Sequence, residues 1–381
     1  MCIRDSLGNP LGLLVIDHLR SHPAVDLEVH PVTLHDHVDI VPALSLDVSR
    51  LEPLLQFCHR LLSVGSDHHA VPPLDQVRPA GIAVEVPRPQ HLRTDAAVAE
   101  VGVVTADLVR LGDAQQPTPV AASEGLPLGI LDQVVVIPFN DTSAARRVLE
   151  DNKNELAAVI VEPVMGSVGM IPGTAEFLTM LREFTQEHGI VLIFDEVISF
   201  RVAPGGSQQY YGITPDMTSL GKVIGGGFAV GAFGGRQDIM ELYAPTKGAK
   251  VSHAGTFNAN PVTMLAGSVT LEHLTPEVYR DLAELTEELR QGIRRICSES
   301  EVPVQVTGLG SLFGIHFTAE PVQNYRDITT EDTQLRNQVF LGLMNEGILI
   351  ASNLVGALST VMGGAEVDTF LNAFRRVLGR R

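Results

Sequence analysis

Three stretches of this chain carry side chains whose types and order could do chemistry. Val191-Leu192-Ile193-Phe194-Asp195-Glu196-Val197 is an apolar run that ends in an acid. Ser219-Leu220-Gly221-Lys222-Val223-Ile224-Gly225-Gly226-Gly227 sets one lysine between apolar residues and a triple glycine. His253-Ala254-Gly255-Thr256-Phe257-Asn258-Ala259-Asn260-Pro261 offers a threonine just ahead of an Asn-Pro helix start. A carboxylate at the carboxyl end of a buried parallel strand stands where open α/β sheets bind ligands. Side chains alternate along a strand, so Asp195 and Val197 share a side if the strand persists that far. A carboxylate beside a branched apolar side chain suits a basic aromatic ring: one keeps a ring nitrogen protonated, the other covers the ring face. A lysine in a closed site that has shed its proton attacks an aldehyde. The glycines admit close backbone approach, and the hydroxyl and N–H of Thr256 form a natural phosphate contact. Taken singly, each stretch also has a plain structural reading, as a capping aspartate, a surface lysine in a glycine-rich turn, and a loop.

Other chemistries fail on spacing or charge. A phosphate loop requires G-x-x-x-x-G-K-[ST], but Val223 follows Lys222 and Asp216 holds the first glycine position. A dinucleotide fingerprint requires G-x-G-x-x-G, but Val230 stands where the last glycine is needed, which argues against a nicotinamide dehydrogenase. His35, Asp36, His37, His68 and His69 suggest a metal, yet no fixed elements or supporting shell accompany them, and no metal is expected. The net charge of -18 argues against nucleic acid and against anionic membrane surfaces. Cys2, Cys58 and Cys297 are too few and too scattered for a disulfide framework or a zinc site. The opening residues lack the apolar core of a signal peptide, and no apolar run is long enough to span a membrane. A reducing, cytoplasmic setting is the expectation.

Around the three stretches the pattern is that of an α/β protein. Strands are predicted at Val134–Ile137, Leu156–Val161 and Ile190–Phe194. Helices are predicted from an Asp141 cap to about 151, and from a Thr174 cap to His188, stopped by Gly189. Strands alternating with helices indicate parallel βαβ units. Past about residue 272 come a long charged helix near 276–298, strands near 303–317, and helices near 331–345 and 366–379, which read as a smaller α+β domain.

The first part of the chain differs in composition. The first Lys is Lys153 and the first Tyr is Tyr210, while nine of the 13 His lie before residue 100. Lys, Tyr, Phe and Asn use A/T-rich codons, so their joint scarcity fits GC-rich DNA read in a wrong frame. Residues 1–115 are therefore expected to be a non-native, mistranslated or disordered segment; the alternative is a genuine His-rich domain.

Glu162-Pro163-Val164 and the three stretches occur in the order and spacing of class III pyridoxal-phosphate-dependent aminotransferases. Residues from about 115 to 381, including Gly356-Ala357-Leu358-Ser359-Thr360, resemble that family. Within it the resemblance is strongest to the glutamate-1-semialdehyde 2,1-aminomutases and related aminotransferases. It implies a fold-type I architecture: a large, mostly parallel domain over 116–272 whose N-terminal part is missing, and a small α+β domain over 273–381. It implies pyridoxal 5'-phosphate as cofactor, held as a Schiff base by Lys222, which would also shuttle the substrate proton. Asp195 would pair with the pyridine nitrogen and Val197 would pack on the ring. Thr256 would reach the phosphate in a neighbouring subunit, implying a homodimer. Glu162 and Ser167 would lie near the phenolic side. The implied reaction is amino transfer from an amino acid or amine to an oxo acid, with intramolecular transfer on an amino-aldehyde as the alternative. Two departures favour the transaminase: the segment after Asp195 is one residue shorter than the aminomutase's D-E-V-M-T-G-F-R, and the aminomutase's gating glutamate aligns with Leu354. The family's S-G-T-E-A phosphate segment and ring-stacking aromatic residue are absent from residues 1–115. The chain as written is therefore expected to bind cofactor weakly or not at all and to expose apolar faces. An inactive fragment or pseudoenzyme is the alternative of another class.

Overall fold

A computed structural model of the 381-residue chain describes residues 134–244 and 250–380, together with Leu131 and the backbone of short strands at Asp95–Ala99, Val109–Leu111 and Pro119–Ala121. The described residues fall in one compact unit. The histidine-rich segment singled out above lies outside them, as does most of residues 1–115.

The central sheet has six strands: β1 (Asp95–Ala99), β2 (Val134–Ile137), β3 (Leu156–Val161), β4 (Val191–Asp195), β5 (Met217–Gly221) and β6 (Gly231–Gly235). Their spatial order is β6-β5-β4-β3-β1-β2, and every neighbouring pair is parallel except the antiparallel β5–β6. β1 belongs to the stretch read from sequence as non-native, and its backbone fills the place between β2 and β3. Helices α1 (Thr142–Asn152) and α2 (Ala175–His188) connect successive strands. Their ends follow from local chemistry. Asp141 Oδ1 accepts the Ala144 N–H at 2.9 Å and Thr174 Oγ1 accepts that of Phe177 at 3.2 Å, each satisfying an orphan donor of the first turn. Gly189 closes α2 with φ 65°. Phe177, Leu178, Leu181 and Phe184 line the buried face of α2 and pack on Val159, Val161, Leu192 and Phe194 of the sheet.

Register between the two strands that carry the chemistry is pinned by one carboxylate. Asp216, just ahead of β5, accepts the Leu192 N–H at 2.8 Å and pairs with Arg182 and Arg236, each at 3.0 Å. Its own N–H donates to the Leu192 carbonyl at 2.8 Å.

A second hydrophobic cluster lies in the C-terminal part. It is built by α4 (Pro276–Glu299), strands β7 (Gln305–Thr307) and β8 (Leu312–His316), α5 (Thr333–Asn345), β9 (Val355–Ala357) and α6 (Gly364–Leu378). The three strands form an antiparallel sheet ordered β7-β8-β9. Between this cluster and the central sheet, α3 (Pro261–His273) starts where the Asn-Pro pair predicts: Asn260 Oδ1 accepts the N–H groups of Val262 and Thr263.

The Asp216 node gives a first prediction. Burial pushes its carboxyl up, but the Leu192 N–H and the Arg236 and Arg182 partners outweigh that and leave it below the ordinary aspartate value. Its contribution is thus present above the unfolded value and lost as pH falls through the lower folded one. Asp216→Ala should cost about 2–3 kcal/mol at neutral pH, with a smaller loss under acid conditions, measured by urea unfolding. An equal loss at both pH values would show that the charge is not what matters.

Candidate active site

The carboxyl ends of β3, β4 and β5 bring together Glu162, Asp195 and Lys222. Glu162 follows β3, Asp195 ends β4, and Lys222 follows β5 directly. Asp195 pairs in register with Ser219, three positions before the lysine. The charge of Lys222 acts on both carboxyls, and that of Asp195 acts on Glu162.

Asp195 is 1% exposed. Its Oδ1 accepts the Val197 N–H at 2.8 Å, while Oδ2 is buried with no hydrogen-bond partner. Burial pushes its carboxyl up; the Val197 N–H, the neighbouring Ser219 hydroxyl and the Lys222 charge oppose that. The strand does not continue to Val197 as the alternation argument requires. The carboxylate hooks back onto the Val197 N–H, the chain turns, and a 3₁₀ turn follows at Ser199–Val202. Val197 reaches the site by this turn instead: a Cβ added at Gly221 would sit 3.2 Å from Val197 Cγ1.

Lys222 has φ 49°, in the left-handed region that a branched or long side chain enters at a cost of about 1 kcal/mol. It opens a single 3₁₀ turn, Lys222–Gly225, closed by Gly226 at φ 57°. The glycines serve packing against α3. A Cβ at Gly226 would meet the Ala266 carbonyl oxygen at 2.3 Å, and one at Gly267 would meet the Ile224 oxygen at 2.1 Å. The lysine is exposed, so the closed pocket expected around it is not formed by the described residues.

Glu162 is buried, and its Oε2 accepts the Gly166 N–H at 3.0 Å. Burial, helped by the Asp195 charge, pushes its carboxyl up to about 8. Ser167 is exposed on the same loop, where its carbonyl accepts from Asn353 Nδ2 at 2.8 Å. Thr256 lies on an exposed turn. Among the described residues, no hydrogen bond joins it to Asp195, Lys222 or Glu162.

Several supporting residues gave no usable signal in sequence. Glu196, fully buried behind Asp195, accepts the N–H groups of Ser207 and Gln208 and holds the Gly206–Tyr211 helix in place. Arg201 donates to Ser311 Oγ at 2.9 Å and to the Leu358 carbonyl at 2.6 Å, tying the segment after Asp195 to the C-terminal sheet. Asn140 donates to the Pro172 and Gln323 carbonyls and accepts from the Thr174 N–H, anchoring the loop that Glu162 opens. Leu354 is fully buried in the C-terminal cluster. Among the described residues no group of three or more His, Cys, Asp or Glu could hold a metal, and no helix is long and apolar enough to cross a membrane.

The site tests well against a phosphorylated pyridine aldehyde. An orphaned, buried carboxylate oxygen suits a protonated ring nitrogen, and an exposed lysine on the adjoining strand end suits an aldehyde. A mostly parallel α/β sheet with such a floor defines the fold-type I class of pyridoxal-phosphate enzymes. The Aminotransferase class-III family matches over residues 131–377, and the chain belongs to that family. It is 43% identical over 244 residues to the glutamate-1-semialdehyde 2,1-aminomutase of Methanothermobacter thermautotrophicus, covering 64% of this chain and 57% of that protein. The fold is similar to the omega-transaminase of Sphaerobacter thermophilus, with TM-score 0.71 and 42% identity over 75% of this chain and 68% of that one. It is also similar to a transaminase solved with PLP bound, with TM-score 0.69 and 34% identity over 76% and 68% of the two chains. The chain thus spans less than two-thirds of the length of the aminomutase it matches.

Glu162 supplies a pH prediction. Between the ordinary glutamate value of 4.5 and about 8, the folded state keeps a proton that the unfolded chain has lost. Stability contributed by this group is full below that window and falls as pH rises through it. Relative to Glu162→Gln, the unaltered chain should lose about 2–4 kcal/mol between pH values of about 5 and about 9, read from urea unfolding. Parallel curves for the two proteins would remove Glu162 as the titrating group.

Proposed function

We propose that the enzyme to which these residues belong transfers an amino group from an amino acid or amine to an oxo acid, using pyridoxal 5'-phosphate held by Lys222. The observation that carries this reading is the buried, partnerless Oδ2 of Asp195 beside the charge of Lys222. When bound, the cofactor supplies an electron sink for negative charge developing at the amine-bearing carbon. Asp195 accepts the ring N–H and must stay anionic to do so. Val197 covers the ring face. Lys222 would hold the cofactor through its aldehyde and would supply the amine that accepts the proton of the amine-bearing carbon. Glu162, kept neutral at pH 7 by burial, and Ser167 stand on the phenolic side.

Transamination is favoured over intramolecular transfer because Leu354, at the position of the aminomutase's gating glutamate, is locked in the hydrophobic core. Thr256 serves the phosphate in a second subunit. Support for a homodimer comes from its exposed turn, from Phe257 at 83% exposure, and from Val262, Leu265 and Val269 exposed on α3. The small-molecule partners are an amino donor and an oxo acceptor, and the cysteine pattern supports a cytoplasmic setting. The large domain over 116–272 supplies the site floor, and the small domain over 273–381 braces it. Because Lys222 is exposed, this chain alone should bind cofactor weakly.

Borohydride reduction at saturating pyridoxal phosphate, followed by peptide mass mapping, tests the assignment. The cofactor mass should appear on the peptide containing Lys222, vanish in Lys222→Ala, and require about tenfold more cofactor in Asp195→Asn, equivalent to about 1.4 kcal/mol. Labelling spread over other lysines, unchanged in Lys222→Ala, would refute it.

A further inference from the structure

Two buried polar atoms at the strand ends have no hydrogen-bond partner, Asp195 Oδ2 and Ser219 Oγ. They belong to residues paired in parallel register on β4 and β5. The Glu196 N–H donates to the Ser219 carbonyl at 2.9 Å and fixes these two strand ends against each other. The other carboxylate oxygen is already engaged by the Val197 N–H. The remaining titratable groups that face Asp195 are Lys222, from the turn after β5, and Glu162, from the end of β3. A buried carboxylate that must stay ionised needs donors, because each hydrogen bond to the charged form favours it over the neutral acid. One backbone donor is a thin supply for a group this deeply buried. The Ser219 hydroxyl, buried without a partner of its own, is near enough to oppose the effect of burial on the Asp195 carboxyl.

We propose that Ser219 is a positioning residue for Asp195: its hydroxyl donates to Oδ2, holding the carboxylate charged and in one rotamer while leaving that oxygen a second lone pair for a ring N–H. The part of this concerning a ring rests on the pyridoxal-phosphate reading above. The Ser219–Asp195 link does not, so the two can fail separately.

The test uses the full chain and its Ser219→Ala, Ser219→Thr, Asp195→Asn and Asp195→Asn/Ser219→Ala variants. Thermal unfolding without cofactor, at pH values of about 5 and about 8, reads the link directly. Loss of the hydroxyl should raise the carboxyl's folded value further and so remove more stability at the higher pH. Ser219→Ala should lose about 2 °C or more beyond its loss at the lower pH. The extra loss should disappear in the Asp195→Asn background, and Ser219→Thr, which keeps the hydroxyl, should behave like the unaltered chain. A pH-independent loss, or the same extra loss with Asp195→Asn in place, would overturn the proposal. Titration with pyridoxal phosphate separates the two ideas. A link seen in unfolding, alongside borohydride-fixed cofactor label that spreads over other lysines and persists in Lys222→Ala, would sink the cofactor reading and leave the Ser219 assignment standing.

Discussion

A carboxylate stripped of water at the end of a buried strand is the constraint around which this half of the molecule is arranged. Ionising Asp195 at 1% exposure is costly unless donors and an opposite charge surround it. The backbone supplies one donor by turning sharply at Val197, and the adjoining strand brings a lysine three residues beyond the register partner of the aspartate. What remains is Oδ2, which meets no protein donor beyond the Ser219 hydroxyl assigned to it. Buried polar atoms without partners are rare and call for an explanation. A protonated ring nitrogen gives one that also accounts for the lysine.

The lysine is held in a conformation it would not choose. A left-handed backbone at Lys222 persists because the turn around it is over-determined: Gly226 and Gly267 let the turn and α3 touch backbone to backbone, and any side chain at either position would collide. Gly226 and Gly267 are therefore the joint between the lysine turn and α3. The same helix follows the Thr256 turn, so the geometry of Lys222 and the placement of Thr256 depend on one contact surface.

How far the sequence could be read depended on the range of the interactions involved. Asp141, Thr174, Gly189 and Asn260 cap helices through contacts within a few residues, and each was legible from spacing alone. The strand ends at Glu162 and Asp195 followed from the βαβ pattern, while the grouping of Glu162 and Lys222 with Asp195 came from the family resemblance. The route by which Val197 enters the site did not, because alternation along a strand cannot foresee that the aspartate's own side chain will end the strand. Glu196, Arg201 and Asn140 were illegible for a different reason. Their partners lie across the fold, up to Leu358 in the case of Arg201, and nothing local marks a buried glutamate as a bracket or an asparagine as an anchor.

Those long-range ties bear on how the site could work. The loop between Glu162 and Pro172 is gripped from the C-terminal part at two places: Asn353 donates to the Ser167 carbonyl, and His316 Nε2 lies 3.1 Å from the Gly169 carbonyl oxygen. His316 is itself buried beside Glu331, which Arg336 approaches at 3.4 Å. Arg201 makes the same connection from the segment after Asp195. Polar networks buried between packed elements rigidify when satisfied and are costly to break. The segment after Asp195 and the loop after Glu162 are thereby coupled to the C-terminal part through hydrogen bonds rather than through apolar contact alone. A shift of β7 and β8 would therefore be transmitted through Thr307 and His316 to the carbonyl of Gly169, and through that loop to the buried carboxyl of Glu162. Hydrogen bonds to the C-terminal part thus help set the positions of the segment after Asp195 and of the loop after Glu162.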